Sequence, residues 1–141
     1  MIDFSGSAAT VSFIAPAPQS AQSQGRARIT LSGERDGGHV ALVMRARPEL
    51  AAGNVGGWSE PLLRNLAAVR FSYFGVAAPG TAPAWRTVWP SGKTFPQLVR
   101  IHVDFAKGDG RVWPDLVVAP HIEVDSACLY DYTTKYCQGR R

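Results

Sequence analysis

Three residues in "RIHVD" set the first chemical question. Arg100, His102 and Asp104 alternate with apolar neighbours, so on a strand all three leave the same face. An imidazole oriented by a carboxylate is the core of a general acid-base pair. A solvent-facing polar strand side explains the same alternation without any chemistry. "HIEVD" repeats the pattern with His121, Glu123 and Asp125, three side chains able to ligate a metal but without a signalled fourth ligand. Charged residues on an edge strand also discourage edge-to-edge pairing, which is the plainer reading. No serine or cysteine stands in a G-x-S-x-G elbow, and the glycines of "AGNVGG" match neither G-x-G-x-x-G nor G-x-x-x-x-G-K. The residues give no support to a nucleophilic enzyme or a phosphate cradle, and the expectation is a protein that is not an enzyme and uses no cofactor or metal. A hydrolase built on His102 and Asp104 is the weakest of the readings considered.

"AWRTVWPSGKTFPQLVRI" raises a different possibility. Trp85 and Trp89 lie four apart, a spacing that on an extended chain puts both rings on one face roughly 13 Å apart, suitable for stacking sugars or bases. Pro90 and Pro96 stiffen the segment and bias Trp89 and Phe95 to extended geometry, which suits a brace covering the end of a sheet core. The two large rings make the brace the leading reading of Trp85, Trp89, Pro90, Phe95 and Pro96, and the stacking platform its alternative.

The only two cysteines, Cys128 and Cys137, bracket "LYDYTTKY". The spacing is too wide for C-x-x-C redox or zinc chemistry, and it suits a disulfide. Such a bond would close a short loop worth roughly 2.5 to 3 kcal/mol in the chain-entropy picture and would place the domain in an oxidising compartment. Two unpaired thiols are the alternative.

The elements that must carry these residues are strands. "ARITLSGE" and "HVALVMRAR" alternate cleanly around Asp36-Gly37-Gly38, a tight-turn signal. "TVSFIA" precedes them, and "VRFSYFG", "LVRIHVDF" and "RVWPDLVVA" follow, the last two joined by the turn "KGDG". Pro114 marks the last strand as an edge or a bulge. Only "SEPLLRNLAA" (59–68) hints at a helical turn, through Leu62, Leu63 and Leu66. The expected fold is α+β and β-rich, about six antiparallel strands in one or two small sheets; no helix in the chain is long enough to cover the buried face, so either two small sheets pack on each other or the covering helix lies upstream of Met1.

The 141 residues, 45% hydrophobic, suit one domain over residues 1–141, with a strand core to 119 and a C-terminal extension over 120–141. No run approaches the ~20 apolar residues of a membrane helix, and the start lacks a signal-peptide pattern. The net charge of +4 is carried by scattered arginines, and nucleic-acid binding needs clustering, so no nucleic-acid partner is expected.

The order of elements resembles a family, the minor pseudopilins of the type II secretion system, J type. The likeness runs from Phe4 to Ala119: "FSGSAATVSFIAP" is similar to the family's Phe-x-Gly stretch and first strand, "EPLLRNLAAVRFSYFG" to its leucine pair and aromatic strand. "WRTVWPSGKTFPQLVRIHV" matches its Trp-x-x-x-Trp, apolar-Pro and Val-containing strand through Trp85, Trp89, Pro90, Phe95, Pro96 and Val99. The resemblance implies a periplasmic domain anchored in the inner membrane by a hydrophobic N-terminal helix that is missing from this chain. It implies assembly with the I and K types at the pseudopilus tip, which initiates the pseudopilus that exports folded proteins. No leader junction precedes Ile2, and an upstream anchor is the expectation. Trp113-Pro114 and "CLYDYTTKYCQGRR" lie outside the family's pattern, leaving the H type or an unclassified pilin-like protein as alternative subtypes. The alternative from another class is a secreted β-sandwich that binds carbohydrate through Trp85 and Trp89.

Overall fold

In the computed structural model, the described residues are 3–21, 25–49, 56–92, 94–121, 129–131, 133 and 136–138. The expectation of an α+β fold with about six strands does not hold: strands make up 60% of the described residues, none of these residues is in an α-helix, and the sheet curls into a half-barrel. The strands are β1 (Phe4–Gly6), β2 (Thr10–Pro16), β3 (Arg26–Asp36), β4 (His39–Pro48), β5 (Trp58–Gly75), β6 (Ala84–Arg86), β7 (Leu98–Phe105), β8 (Leu116–Val118), β9 (Leu129–Asp131) and β10 (Tyr136–Gln138). One antiparallel sheet runs β1-β2-β3-β4-β5-β7-β8, with β6 paired to the end of β5, while β9 and β10 form a separate two-stranded ladder.

The β3–β4 hairpin follows directly from its sequence. Gly37 and Gly38 both take positive φ (57° and 89°), so a two-residue turn sets Asp36 against His39 and carries the ladder to Ala27 and Pro48. Positive φ at two successive positions is what glycine alone accepts cheaply.

The supposed helical turn over 59–68 is the first half of β5, an 18-residue strand. Its pairing with β4 slips twice, between Val40 and Leu42 and between Leu42 and Val43, and its pairing with β7 slips once, between Leu66 and Ala68. Each slip inserts an extra residue in β5. Leu63, Leu66 and Val69, all packed on the core, therefore recur at every third position instead of every second. An i, i+3 stripe is the signature of a helix, and here it is the signature of the two bulges that lie between Leu63 and Val69. Asn65 lies in one of them with φ 61°, and its amide donates to Asp109 Oδ2 at 2.8 Å, which ties the bulge to the turn after β7. Bulges raise local twist and bend the strand, and β5 is the strand on which β4, β6 and β7 all pair.

That bending answers the missing cover. The curled sheet encloses its own core, Phe4, Val11, Leu42, Leu66, Phe71, Tyr73, Trp89, Val99 and Val103, so neither a second sheet nor a helix is needed for that face. A smaller cluster, Ala27, Ile29 and Ala46, continues it under Phe13, Met44 and Trp58.

Curling also brings the β1 edge to the chain beyond β6. Gly6 N donates to Trp89 O at 3.0 Å and Trp89 N donates to Gly6 O at 2.8 Å, an antiparallel bridge that latches the half-barrel. Phe71 N donates to Ala8 O at 2.9 Å, so the turn after β1 fills the edge of β5 that β4 leaves open. β8 is left at the opposite edge of the sheet.

Candidate functional site

The Trp-Pro segment resolves into two tryptophans in different environments. Trp89 is 1% exposed and its ring N–H donates to Thr94 O at 3.0 Å, while Trp85 is 39% exposed. A side chain at Gly75 would meet the Trp89 ring, and one at Gly6 would overlap the Tyr73 ring. The ring of Trp89 therefore lies against Gly75, whose φ of 153° disfavours other residues, and the ring of Tyr73 against Gly6. Phe95 packs on the same core, Pro96 is buried and Pro90 is exposed. Trp85 lies outside, 5.4 Å from the Phe74 ring between centroids, with the Arg100 guanidinium over its face at 3.8 Å. The two rings form no common exposed platform, because one is enclosed and the other has a cation on its face.

That cation opens a polar network across the outer face of β5, β7 and β8. Arg100, His102 and Asp104 do share a strand face, and the pairing with β5 sets Arg70 opposite His102 and Ser72 opposite Arg100. His102 Nδ1 is 2.5 Å from an Asp115 oxygen and Nε2 is 3.0 Å from an Asp104 oxygen. Asp104 also accepts from Arg70 at 2.9 Å, and Asp115 lies 3.9 Å from Arg100. The two carboxylates, Asp115 first and Asp104 second, raise the His102 pKa above its ordinary 6.5. When protonated, the ring can donate from both nitrogens, one to each carboxylate. What the arrangement does well is hold the edge strand: Asp115 immediately precedes β8, and His102 fastens it to β7.

An open cleft of about 280 Å³ lies beside this network, lined by Arg70, Ser72, Thr87, Arg100, His102 and Asp115. Sequence reading found Arg100, His102 and Asp104 but missed Asp115 and the Arg100–Trp85 contact. The turn "KGDG" contains the signal for the first, since a chain returning alongside β7 must bring the residues before β8 to His102. Of the second set, His121 is exposed, while Glu123 and Asp125 lie outside the described residues, as do the side chains of Cys128 and Cys137 and most of "AGNVGG".

At the free edge, Leu116, Val117 and Val118 are 43%, 45% and 44% exposed, with Val112 and Trp113 exposed just before them. No charge interrupts this strand, although exposed edges are ordinarily guarded by charge, proline or a bulge. Pro114 and Pro120 bracket it instead. Comparison with family models, curated proteins and solved structures finds no match to the chain.

Proposed function

We propose that the chain is the periplasmic domain of a minor pseudopilin of the type II secretion system, J type, acting by protein-protein assembly at the pseudopilus tip without a cofactor. The observation that carries this reading is where the resembling residues lie. Phe4 and Gly6 of the Phe-x-Gly stretch, Tyr73 of the aromatic strand, and Trp89 and Phe95 of the Trp-Pro segment are far apart in sequence and meet in one cluster. The Phe4 ring is 6.0 Å from Tyr73 and 5.8 Å from Phe95 between centroids, and Gly6 bridges Trp89. Segments that resemble one family in order also depend on one another in space.

Assembly by surface contact is further supported by β8, whose apolar side chains and backbone edge, unpaired among the described residues, suit addition of a partner strand. In this reading the domain lies on the periplasmic side of the inner membrane, held there by an anchor upstream of the chain.

Co-expression with the I-type and K-type domains encoded alongside it is the test. Co-elution as one complex is the expected result, and Val117→Arg, on an exposed side chain, should abolish it while leaving the circular dichroism spectrum intact. Well-folded domains that elute separately would overturn the reading.

A further inference from the structure

The outer face of β3 and β4 carries four arginines that look scattered in sequence and are not scattered in space. Arg28 and Arg47 are Cα partners across the ladder, as are Thr30 and Arg45, with Ser59 of β5 opposite Arg45. Partners across an antiparallel pair leave the same face with Cβ atoms about 5 Å apart, a relation in which like charges repel. Between them lies an open cleft of about 410 Å³ lined by Arg28, Thr30, Arg45, Arg47, Trp58 and Ser59.

Carboxylates of the chain answer most of this charge. Asp3 accepts from both terminal nitrogens of Arg28 at 2.8 and 2.5 Å, and Glu34 accepts from Arg45 at 2.9 and 2.8 Å. The facing guanidinium holds each of these carboxyls below its ordinary pKa. Arg26 lies 3.2 Å from Glu49 beside them. Among the described residues the Arg47 side chain has no ion pair or hydrogen bond, and it lines the cleft opposite Arg28. Four guanidiniums against three carboxylates leave an excess of one, and the excess sits at Arg47.

We propose that this cleft binds an acidic peptide segment, with one carboxylate seated in the fork of Arg47 and the chain laid across the hydroxyls of Thr30 and Ser59. Two observations favour a peptide carboxylate over other anions. The neighbouring arginines already take carboxylates in the two-pronged geometry that a guanidinium fork matches. A surplus of a single charge balances one carboxylate, whereas a nucleic-acid backbone requires a run of unanswered cations. The proposal goes beyond the assembly reading and does not rest on it, since β8 lies at the far edge of the sheet.

The test is amide chemical-shift mapping on the whole chain at low salt, titrated with the peptide Ser-Glu-Ser-Asp-Ser-Glu and with its Gln/Asn counterpart. The expected result is saturable shifts at Arg45 to Arg47, at Gly57 to Ser59 and at the Trp58 indole, with the acidic peptide alone. Arg47→Gln should weaken binding at least about fivefold, the equivalent of one good exposed ion pair. Arg47→Lys, which keeps the charge but loses the fork, should fall between, and Arg70→Gln, on another sector of the sheet, should change nothing. Absence of shifts, or equal weakening by Arg70→Gln, would overturn the proposal. So would displacement of the peptide by inorganic phosphate or a single-stranded oligonucleotide at lower concentration, which would make the cleft a site for a different anion.

Discussion

Gly6 lies against the ring of Tyr73 so closely that a methyl group on its Cα would overlap the phenol, and the Tyr73 hydroxyl passes beyond it to donate to the carbonyls of Ser7 at 2.8 Å and Thr10 at 3.1 Å. Gly6→Ala is therefore an overpacking substitution at the junction of two strands. It should cost about 3 kcal/mol or more, at the upper end for added core volume, because the atom in the way is a ring pinned at its far end. Tyr73→Phe should cost less, about 1 to 2 kcal/mol, since the two carbonyls lose a donor but the packing is kept. Urea unfolding of the two variants gives the order; a Gly6→Ala protein as stable as the parent would refute the close approach.

The two tryptophans of the same segment should separate in a stability measurement. Trp89→Ala removes an enclosed ring and should cost about 3 to 5 kcal/mol, while Trp85→Ala removes a surface ring under a cation and should cost about 1 kcal/mol or less. Intrinsic fluorescence adds a second readout. Loss of Trp89 should shift the remaining emission to the red, as the blue-emitting buried indole disappears, and loss of Trp85 should shift it the other way.

Asn65 offers a test of the bulges. At φ 61° it takes a conformation that costs most side chains roughly 1 kcal/mol, and its amide is bonded to Asp109. Asn65→Gly removes the bond and relieves the backbone; Asn65→Ala removes the bond and adds strain. The glycine variant should be the more stable by about 1 kcal/mol. Equal stabilities, or alanine ahead, would mean that β5 runs straight through this position.

His102 makes stability depend on pH in a defined direction. Its pKa is raised in the folded protein by Asp115 and Asp104, so folding favours the protonated ring. The stabilisation is fully present below the ordinary value of 6.5 and is lost as pH rises through the higher folded value. Arg70 and Arg100 face the same two carboxylates and compete with the imidazolium for them, which limits the effect. Proton NMR of the His102 ring should give a midpoint above 6.5, and His102→Gln should remove the corresponding pH dependence of the urea midpoint. A midpoint at or below 6.5 would show that the carboxylates do not hold the ring in solution.

How much of this was legible differs element by element, for physical reasons. The β3–β4 hairpin was legible because the turn residues and the two-residue period agree, and the same turn implies more than was read from it. A two-residue loop at Gly37-Gly38 places Asp36 opposite His39 and, counting outward, Arg28 opposite Arg47, so the arginine pairing was present in the spacing although charge counting missed it. The first half of β5 was illegible because bulges put extra residues between Pro61 and Leu63 and between Leu63 and Leu66, which breaks the two-residue period and leaves Leu62, Leu63 and Leu66 at a spacing that imitates a helical turn. Closure of the sheet was illegible for another reason: nothing local to Gly6 or to Trp89 refers to the other. The strand face of Arg100, His102 and Asp104 was legible, and its tie to Asp115 was missed although the turn at "KGDG" implies it, because the register across that turn was not counted out.

The pairing of Gly6 with Trp89 also sets an order in time. From β1 to β5 each strand pairs with the next one in sequence, so each of these hairpins closes a short loop and can form early. The bridge between Gly6 and Trp89 joins points more than half the chain apart and has little to gain until β5 has bent and β6 has paired. It should therefore be among the last contacts made during folding and the first released. Hydrogen exchange at Gly6, Phe71 and Trp89 should accordingly run ahead of exchange along β3 and β4, through a brief opening that uncovers the core without unfolding the sheet.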